Sequence, residues 1–481
     1  MANIIQPRTL SGFAEWMPDE QVLFEKVKER LEKTYSSYGF FPLDTPVLEY
    51  SEILLAKAGG ETEKQIYRFE KGDTDLTMRF DLTVPLAKYV AKNQGELTFP
   101  FKRYQIGKVY RGERAQKGRF MEFYQADIDI IGDGSLSIVN DAEIPSIIYN
   151  TFTSLGIDDF YIRINNRRVL NGLFTYYGIT AGAAEVLRII DKFDKIGFDS
   201  VKAELVELGV AEQTAADLLG LLTFKGANAE VIAKLEALVG EADADTAADT
   251  GTLKGSEADG SAAAGSETED KASVLREGVS ELKQVVKYIY GFGVPERFLQ
   301  IDLTIARGLD YYTGTVYETT ITKHPEIGSV CSGGRYDNLA EYYTNKKLPG
   351  VGISIGLTRL FYILNESKWL NDKLKSPADV LVIPMTEDVS RAVEVSAGLR
   401  ASGIRNQVYL EQKKFKAKIG YADKLGIPFC IFLGEDEIAA GQVSLKNMTD
   451  GSQVTCGLKE AITTIQSYLT PLMEEKLVNI K

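Results

Sequence analysis

The sequence predicts an α+β protein of several domains, and three stretches of its 481 residues carry that reading. Short apolar runs of strand length crowd residues 76–132 and return at 299–356. Between them, residues 168–238 turn rich in Leu, Ala, Glu and Lys at helical spacing. Beyond Pro377 strands and helices alternate. A hydrophobic share of 44% and a charged share of 26% are those of a folded domain. The length suits two to four domains of ~100–200 residues each.

The elements follow in order. Residues 19–38 read as a helix, with Leu23, Val27, Leu31, Tyr35 and Tyr38 at i+3 and i+4 steps and Gly39 as its C-terminal stop. Residues 40–49 are apolar but hold Pro42 and Pro46, which suits an edge strand or an extended arm. Strand-like runs include Val84, Val109-Tyr110 and 128–131; residues 141–155 read as helix and 160–164 as strand. Helical spacing resumes at 274–291. After Pro377 come a strand at 379–383, a helix at 387–402, a strand at 407–410, a helix at 413–425 and a strand at 429–433. A hairpin turns at Asp450-Gly451.

Residues 241–273 stand apart. They hold nine acidic and two basic residues, a net of −7, with almost no large apolar side chain. Such a stretch buries too little to offset the entropy of ordering, and a disordered acidic loop is expected.

Several function classes are excluded early. The 55 Lys and Arg against 68 Asp and Glu leave a net charge of −13, so a polyanion must meet a local basic patch. Cys331, Cys430 and Cys456 form no CxxC pair, which suits a reducing compartment and argues against a thiolate metal site. The opening MANIIQPRTL lacks the apolar core of a secretory leader, and no run reaches ~18 apolar residues. A cytoplasmic protein that makes no use of a membrane is expected. His324 is the single histidine, which makes a Ser-His-Asp triad improbable and rules out a His-rich metal site.

Chemistry must then rest on carboxylates, guanidiniums, amides and phenols. Residues 102–119 carry seven Lys or Arg and one Glu, a net of +6 inside an acidic chain. Arg111, Glu113, Arg114 and Arg119 flank a turn, where guanidinium forks suit phosphates; a triphosphate site and a nucleic-acid site both fit. Downstream, Phe123, Gln125, Asp127 and Asp129 alternate along a strand and share one face, a setting for a cationic or amino-bearing ligand. Residues 307–318 join Arg307 and Asp310 to Tyr311 and Tyr312, and 331–337 place Gly333 and Gly334 before Arg335 and Asp337. Residues 350–359 form a Gly-punctuated strand entering a helix at Arg359.

Together these residues resemble class II aminoacyl-tRNA synthetases and, within them, the histidyl-tRNA synthetase family. Gly39 to Glu49 is similar to motif 1, Arg111-Gly112-Glu113-Arg114 through Gln125 to motif 2, and Gly352 to Arg359 to motif 3. RGLDYYTGTVYE and CSGGRYD resemble the two histidine-specific signatures. The resemblance implies an antiparallel class II sheet flanked by helices, a helical insertion and a C-terminal α/β anticodon-binding domain. On this reading residues 1–167 and 299–370 are the catalytic domain, 168–298 the insertion and 377–481 the anticodon-binding domain. It also implies a homodimer built around motif 1.

The same resemblance implies the roles. L-Histidine is activated with ATP and Mg²⁺ and transferred to tRNA(His). Arg111 would hold the α-phosphate and Arg359 the γ-phosphate, with adenine between Phe123 and Arg359; Glu113 and Arg119 belong to the loop over ATP. Asp81, Thr83 and Gln125 would hold the α-amino group, and Asp129 and Tyr312 the imidazole. Tyr311, Gly333 and Gly334 would shape the pocket, and Arg307 would stabilise charge on the α-phosphate. No protein-held metal is implied. Two positions depart from the family pattern: Phe80 replaces a usual proline, and Thr358 a usual acid. A related regulatory subunit of ATP phosphoribosyltransferase shares the catalytic fold but lacks the anticodon-binding domain and erodes the motif arginines, which are intact here. Lys413, Lys414, Lys416 and Lys418 offer a basic surface for RNA in the last domain.

Overall fold

A computed structural model describes residues 4–56, 65–113, 118–179, 182–252, 271–305, 312–474 and 476–478. The chain divides into two compact units, Met1–Ala14 with Leu31–Ile363 and Glu15–Arg30 with Leu364–Lys481. One division between the units falls at 363–364, inside the helix Leu357–Glu366.

The larger unit is built on an eight-stranded sheet. Its order is β1 (Phe41–Pro42), β5 (Phe101–Tyr110), β6 (Glu122–Ile131), β11 (Gly350–Gly356), β10 (Cys331–Tyr336), β9 (Thr315–Ile321), β7 (Phe160–Asn166) and β8 (Leu299–Ile301). All neighbours are antiparallel except the outer pairs β1–β5 and β7–β8. A small antiparallel sheet sets β4 (Thr74–Met78) between β2 (Leu48–Tyr50) and β3 (Arg68–Lys71). Strands β5 and β6 run ten residues each, long enough to carry one row of side chains across the centre of the main sheet.

The first helix spans Pro18–Ser37, and its periodic Leu23, Val27, Leu31 and Tyr35 are all buried. Gly39 follows with φ 78°, the left-handed conformation that ends a helix. The apolar stretch after it splits, as its prolines require, between the edge strand β1 and β2. Val84 differs from expectation: it lies in the helix Thr83–Asn93, where its N–H donates to Asp81 Oδ1 at 3.1 Å. A carboxylate two residues before the first turn closes a free helical donor, and this overrides the strand preference of valine.

The expected helical region 168–298 is helical and belongs to the larger unit. Its helix Lys271–Gly291 packs on Arg167–Tyr176 and on Val139–Leu155, with Leu275, Leu282, Val285, Val286 and Ile289 buried. The expected disordered loop 241–273 is helical at both of its ends. Residues 241–252 continue the helix Asn228–Thr252, and 271–273 open the next helix. Alanines carry the helix through the acidic sequence at little cost. The remainder of that stretch, 253–270, lies outside the described residues.

The smaller unit holds a five-stranded sheet ordered β13 (Asn406–Val408), β12 (Val380–Pro384), β14 (Phe429–Leu433), β15 (Val443–Asn447) and β16 (Gln453–Cys456). The first three strands are parallel, and β15 and β16 close an antiparallel edge around Gly451. Strand alternation gives it a core on each face. Val380 and Val382 join the Ser390–Ala401 and Leu458–Glu474 helices on one side; Leu381 and Ile383 join the Phe415–Lys424 helix on the other. Among the described residues no helix is long and apolar enough to cross a membrane.

Candidate active site

Register decides what the main sheet presents. Gln125, Asp127 and Asp129 share a face of β6; across β5 they pair with Gly107, Gln105 and Arg103, and across β11 with Gly356, Ser354 and Gly352. The glycines leave room above the strand. A Cβ on Gly352 would come 2.3 Å from Asp129 Oδ1, so this position admits only glycine while the carboxylate stays where it is. Over this floor lies a cleft of about 360 Å³.

One end of the cleft is cationic. Arg111, Glu113, Arg119, Phe123 and Arg359 line it. Arg111 Nε donates to Phe80 O at 2.9 Å, and its guanidinium sits 5.3 Å from the centroid of the Phe123 ring. Arg359 Nη1 donates to Ser329 O at 2.8 Å and its Nε to Gly118 O at 3.3 Å. Burial lowers the Arg359 pKa, Arg119 and Arg111 lower it further, and Glu113 opposes them. Glu113 is itself drawn to Arg119 at 3.4 Å. Three guanidiniums and one carboxylate in a partly desolvated groove suit an anion of several charges. Phe80 puts its side chain into an apolar cluster with Leu54, Val84 and Ile66 while its carbonyl serves Arg111, a contact that proline would also allow.

The other end is acidic. Asp81 and Thr83, at the start of the Thr83–Asn93 helix, face Gln125, Asp127, Asp129 and Tyr312. Burial pushes Asp81 up to about 6 and Asp127 up to about 7, and it raises Asp129 as well. Arg103 opposes all three shifts. It is 0% exposed; its Nη2 donates to Leu82 O at 3.1 Å and lies 2.6 Å from Asp129 Oδ2 without hydrogen-bond geometry. Asp129 Oδ1 accepts the Tyr336 hydroxyl at 2.6 Å. Gln125 Nε2 donates to Ser354 Oγ at 2.9 Å. Asp81 Oδ2, Gln125 Oε1 and Asp127 Oδ1 are buried acceptors without a hydrogen bond. Buried acceptors in that state call for donors from a ligand.

The structure brings most of the expected residues together. Arg111, Glu113, Arg119, Phe123, Arg359, Asp81, Thr83, Gln125, Asp129, Tyr312 and Gly333 all line the one cleft. Gly334 stands just behind it, where a Cβ would meet the Tyr312 ring at 2.9 Å and Thr315 O at 2.6 Å. Arg307 and Tyr311 lie outside the described residues. The basic run 102–119 is less available to a polyanion than its charge implies. Arg103 points into the core, Lys102 pairs with Glu143 at 2.7 Å and Lys108 with Glu122 at 2.7 Å. Alternation along β5 could have turned Arg103 inward on paper, but not without knowing which face is covered. Arg103, Tyr336 and Ser354 complete the acidic end, and sequence reasoning gave none of them a role.

A cleft of this kind, divided in charge and floored by the middle strands of an antiparallel sheet, places the larger unit among the class II aminoacyl-tRNA synthetases that its motifs resemble. A family profile described as Histidyl-tRNA synthetase matches residues 12–253 and 204–360, and one described as Anticodon binding domain matches 379–468. The chain is 53% identical to a histidine–tRNA ligase of Clostridium tetani over 97% of its own length and 99% of that protein. A crystal structure of histidyl-tRNA synthetase from Nostoc sp. PCC 7120 superimposes with a TM-score of 0.82 at 37% identity, over 97% of this chain and 100% of that one. A structure from Bacillus halodurans, described as an ATP phosphoribosyltransferase regulatory subunit/histidyl-tRNA synthetase, shares the fold with a TM-score of 0.68 at 18% identity. It covers 89% of this chain and 99% of its own. The chain belongs to the histidyl-tRNA synthetase family.

Proposed function

We infer that the protein is a histidine–tRNA ligase. It activates L-histidine with ATP to histidyl-adenylate and passes the histidyl group to the 3′ end of tRNA(His). The observation that carries this reading is the division of the cleft. Arg111, Arg119 and Arg359 gather at one end, while Asp81, Gln125 and Asp127 present unpaired buried acceptors at the other. A triphosphate suits the first end and an amino acid with N–H groups on both its backbone and its ring suits the second.

In the first step the histidine carboxylate attacks the α-phosphorus and pyrophosphate leaves. In the second the terminal ribose hydroxyl of tRNA attacks the adenylate carbonyl and AMP leaves. Arg111 holds the α-phosphate, Arg359 the γ-phosphate, and Arg307 stabilises charge on the α-phosphate as it develops. Glu113 and Arg119 close over ATP beside adenine on Phe123. Asp81, Thr83 and Gln125 hold the α-amino group; Asp129 and Tyr312 hold the ring in a pocket shaped by Tyr311, Gly333 and Gly334. Catalysis is positioning and fixed charge, with no covalent enzyme intermediate. Magnesium would arrive with the triphosphate and supply counter-charge to it, with Glu113 the carboxylate at that end of the cleft.

The protein works in the cytoplasm as a homodimer, for which the edge strand β1 and the exposed Phe41, Leu48 and Tyr50 offer a surface. Arg111 and Arg359, intact and in the cleft, argue against the regulatory-subunit alternative, whose members erode the motif arginines. ATP–pyrophosphate exchange by the purified chain should appear with L-histidine and with no other amino acid. Folded protein without exchange would return the regulatory reading to first place.

A further inference from the structure

The acidic end is not evenly occupied. Asp129 uses Oδ1 for the Tyr336 hydroxyl and holds Oδ2 against Arg103. Asp127 lines the same cleft, is 2% exposed, and its Oδ1 makes no hydrogen bond. Residues two apart on a strand project from one face roughly 7 Å from each other, so Asp127 stands between Gln125 and Asp129. It lies under the middle of a ligand whose two ends those residues would hold. We propose that Asp127 is a specificity-determining residue that accepts a hydrogen bond through Oδ1 from the one N–H of the neutral imidazole of bound histidine, a proton it shares with Asp129. This assignment rests on the histidine pocket proposed above.

The surroundings explain why such an acceptor is kept. Arg103 and Gln105 face Asp127 from β5, Asp129 from its own strand, Ser354 from β11 and Ser332 from β10. Asp81 faces it from the segment before Thr83–Asn93, while Tyr35 of the Pro18–Ser37 helix lies across the sheet against Tyr104. Burial is the main cause of its raised pKa; Asp129 and Asp81 add to it, and Arg103 and the Ser354 hydroxyl act against it. Arg103 is the one cation among these neighbours, and it already lies against Asp129. A ring N–H supplies the missing donor and favours the ionised carboxylate, so binding near pH 7 releases part of a proton. An amino acid of similar size without a ring N–H leaves Oδ1 buried and unpaired, which is the basis of strong rejection.

Titration calorimetry of the full chain with L-histidine at pH 7, in two buffers of different ionisation enthalpy, reads both affinity and proton release. In Asp127→Asn, which keeps shape and loses charge, the Kd for histidine should rise about tenfold and proton release should fall by more than half. The Kd for 2-thienylalanine, which lacks a ring N–H, should move less than twofold. Asp127→Ser provides a second variant should the amide fold poorly. Unchanged histidine affinity and proton release in a folded variant would overturn the assignment alone. Wild-type protein that binds no histidine would overturn the pocket and this assignment together.

Discussion

Thr358 Oγ1 accepts the backbone N–H of Tyr124 at 2.8 Å, tying the first turn of the Leu357–Glu366 helix to β6. Thr358 is 3% exposed, so this bond is made out of water. A hydroxyl therefore meets a backbone need where the family usually has an acid, and the next residue is Arg359. Thr358→Val keeps the volume and removes the acceptor. It should cost about 1 kcal/mol in urea unfolding and raise the KM for ATP several-fold, leaving the KM for histidine unchanged. An unaltered KM for ATP would mean that Arg359 is placed without this bond.

Arg103 is the buried counter-charge beneath three carboxylates. Arg103→Leu should leave Asp129 Oδ2 without a cation and raise the pKa of Asp81, Asp127 and Asp129 further. The acid limb of histidine-dependent exchange should move to higher pH, and exchange at pH 7 should fall at least tenfold. An acid limb that stays in place would show that Arg103 does not set the charge of the floor.

The pH dependence of stability has a definite sign. Asp81 is raised to about 6 and Asp127 to about 7, so the folded ligand-free protein holds protons that the unfolded chain has lost. Stability from these groups therefore falls as pH rises from about 4 to 7. Asp75, lowered to about 2 chiefly by its hydrogen bond from Arg68, acts in a lower window. Urea midpoints should be higher at pH 5 than at pH 8. Asp81→Asn should reduce that difference by about 1 kcal/mol, the worth of the roughly one unit of its shift that lies above pH 5. A wild-type protein steadily more stable up to pH 8 would contradict the assignment.

In the smaller unit the four lysines are not equivalent. Lys418 Nζ donates to Pro384 O at 2.8 Å and sits 5.9 Å from the Tyr409 ring centroid, whereas Lys413, Lys414 and Lys416 are exposed. Replacing these three by alanine should raise the KM for tRNA and weaken its salt dependence, with histidine activation intact. Unchanged tRNA kinetics would remove that face from the RNA surface.

What the sequence made legible follows from periodicity and local chemistry. Gln125 and Asp129 could be placed on one face because strand alternation needs no partner to be known. Leu23, Val27, Leu31 and Tyr35 could be buried on paper because helical spacing is equally local. Arg103 could not, because its inward turn depends on what covers β5, and its partner Asp129 lies on the next strand. Val84 was misplaced because a carboxylate three residues earlier outweighed its own preference. The acidic stretch misled for the opposite reason: composition spoke for disorder, yet residues 241–252 had a helix to extend.

The common face of Gln125, Asp127 and Asp129 has a consequence for how this protein can change. Each of the three can be exchanged singly, with a graded effect. Loss or gain of one residue inside β6 would instead rotate the whole trio to the opposite side of the sheet and bring Ala126, Ile128 and Ile130, all buried, to the front. Point substitutions can tune the recognition surface, but it cannot be shifted along its strand by one step. It is inherited whole or lost whole.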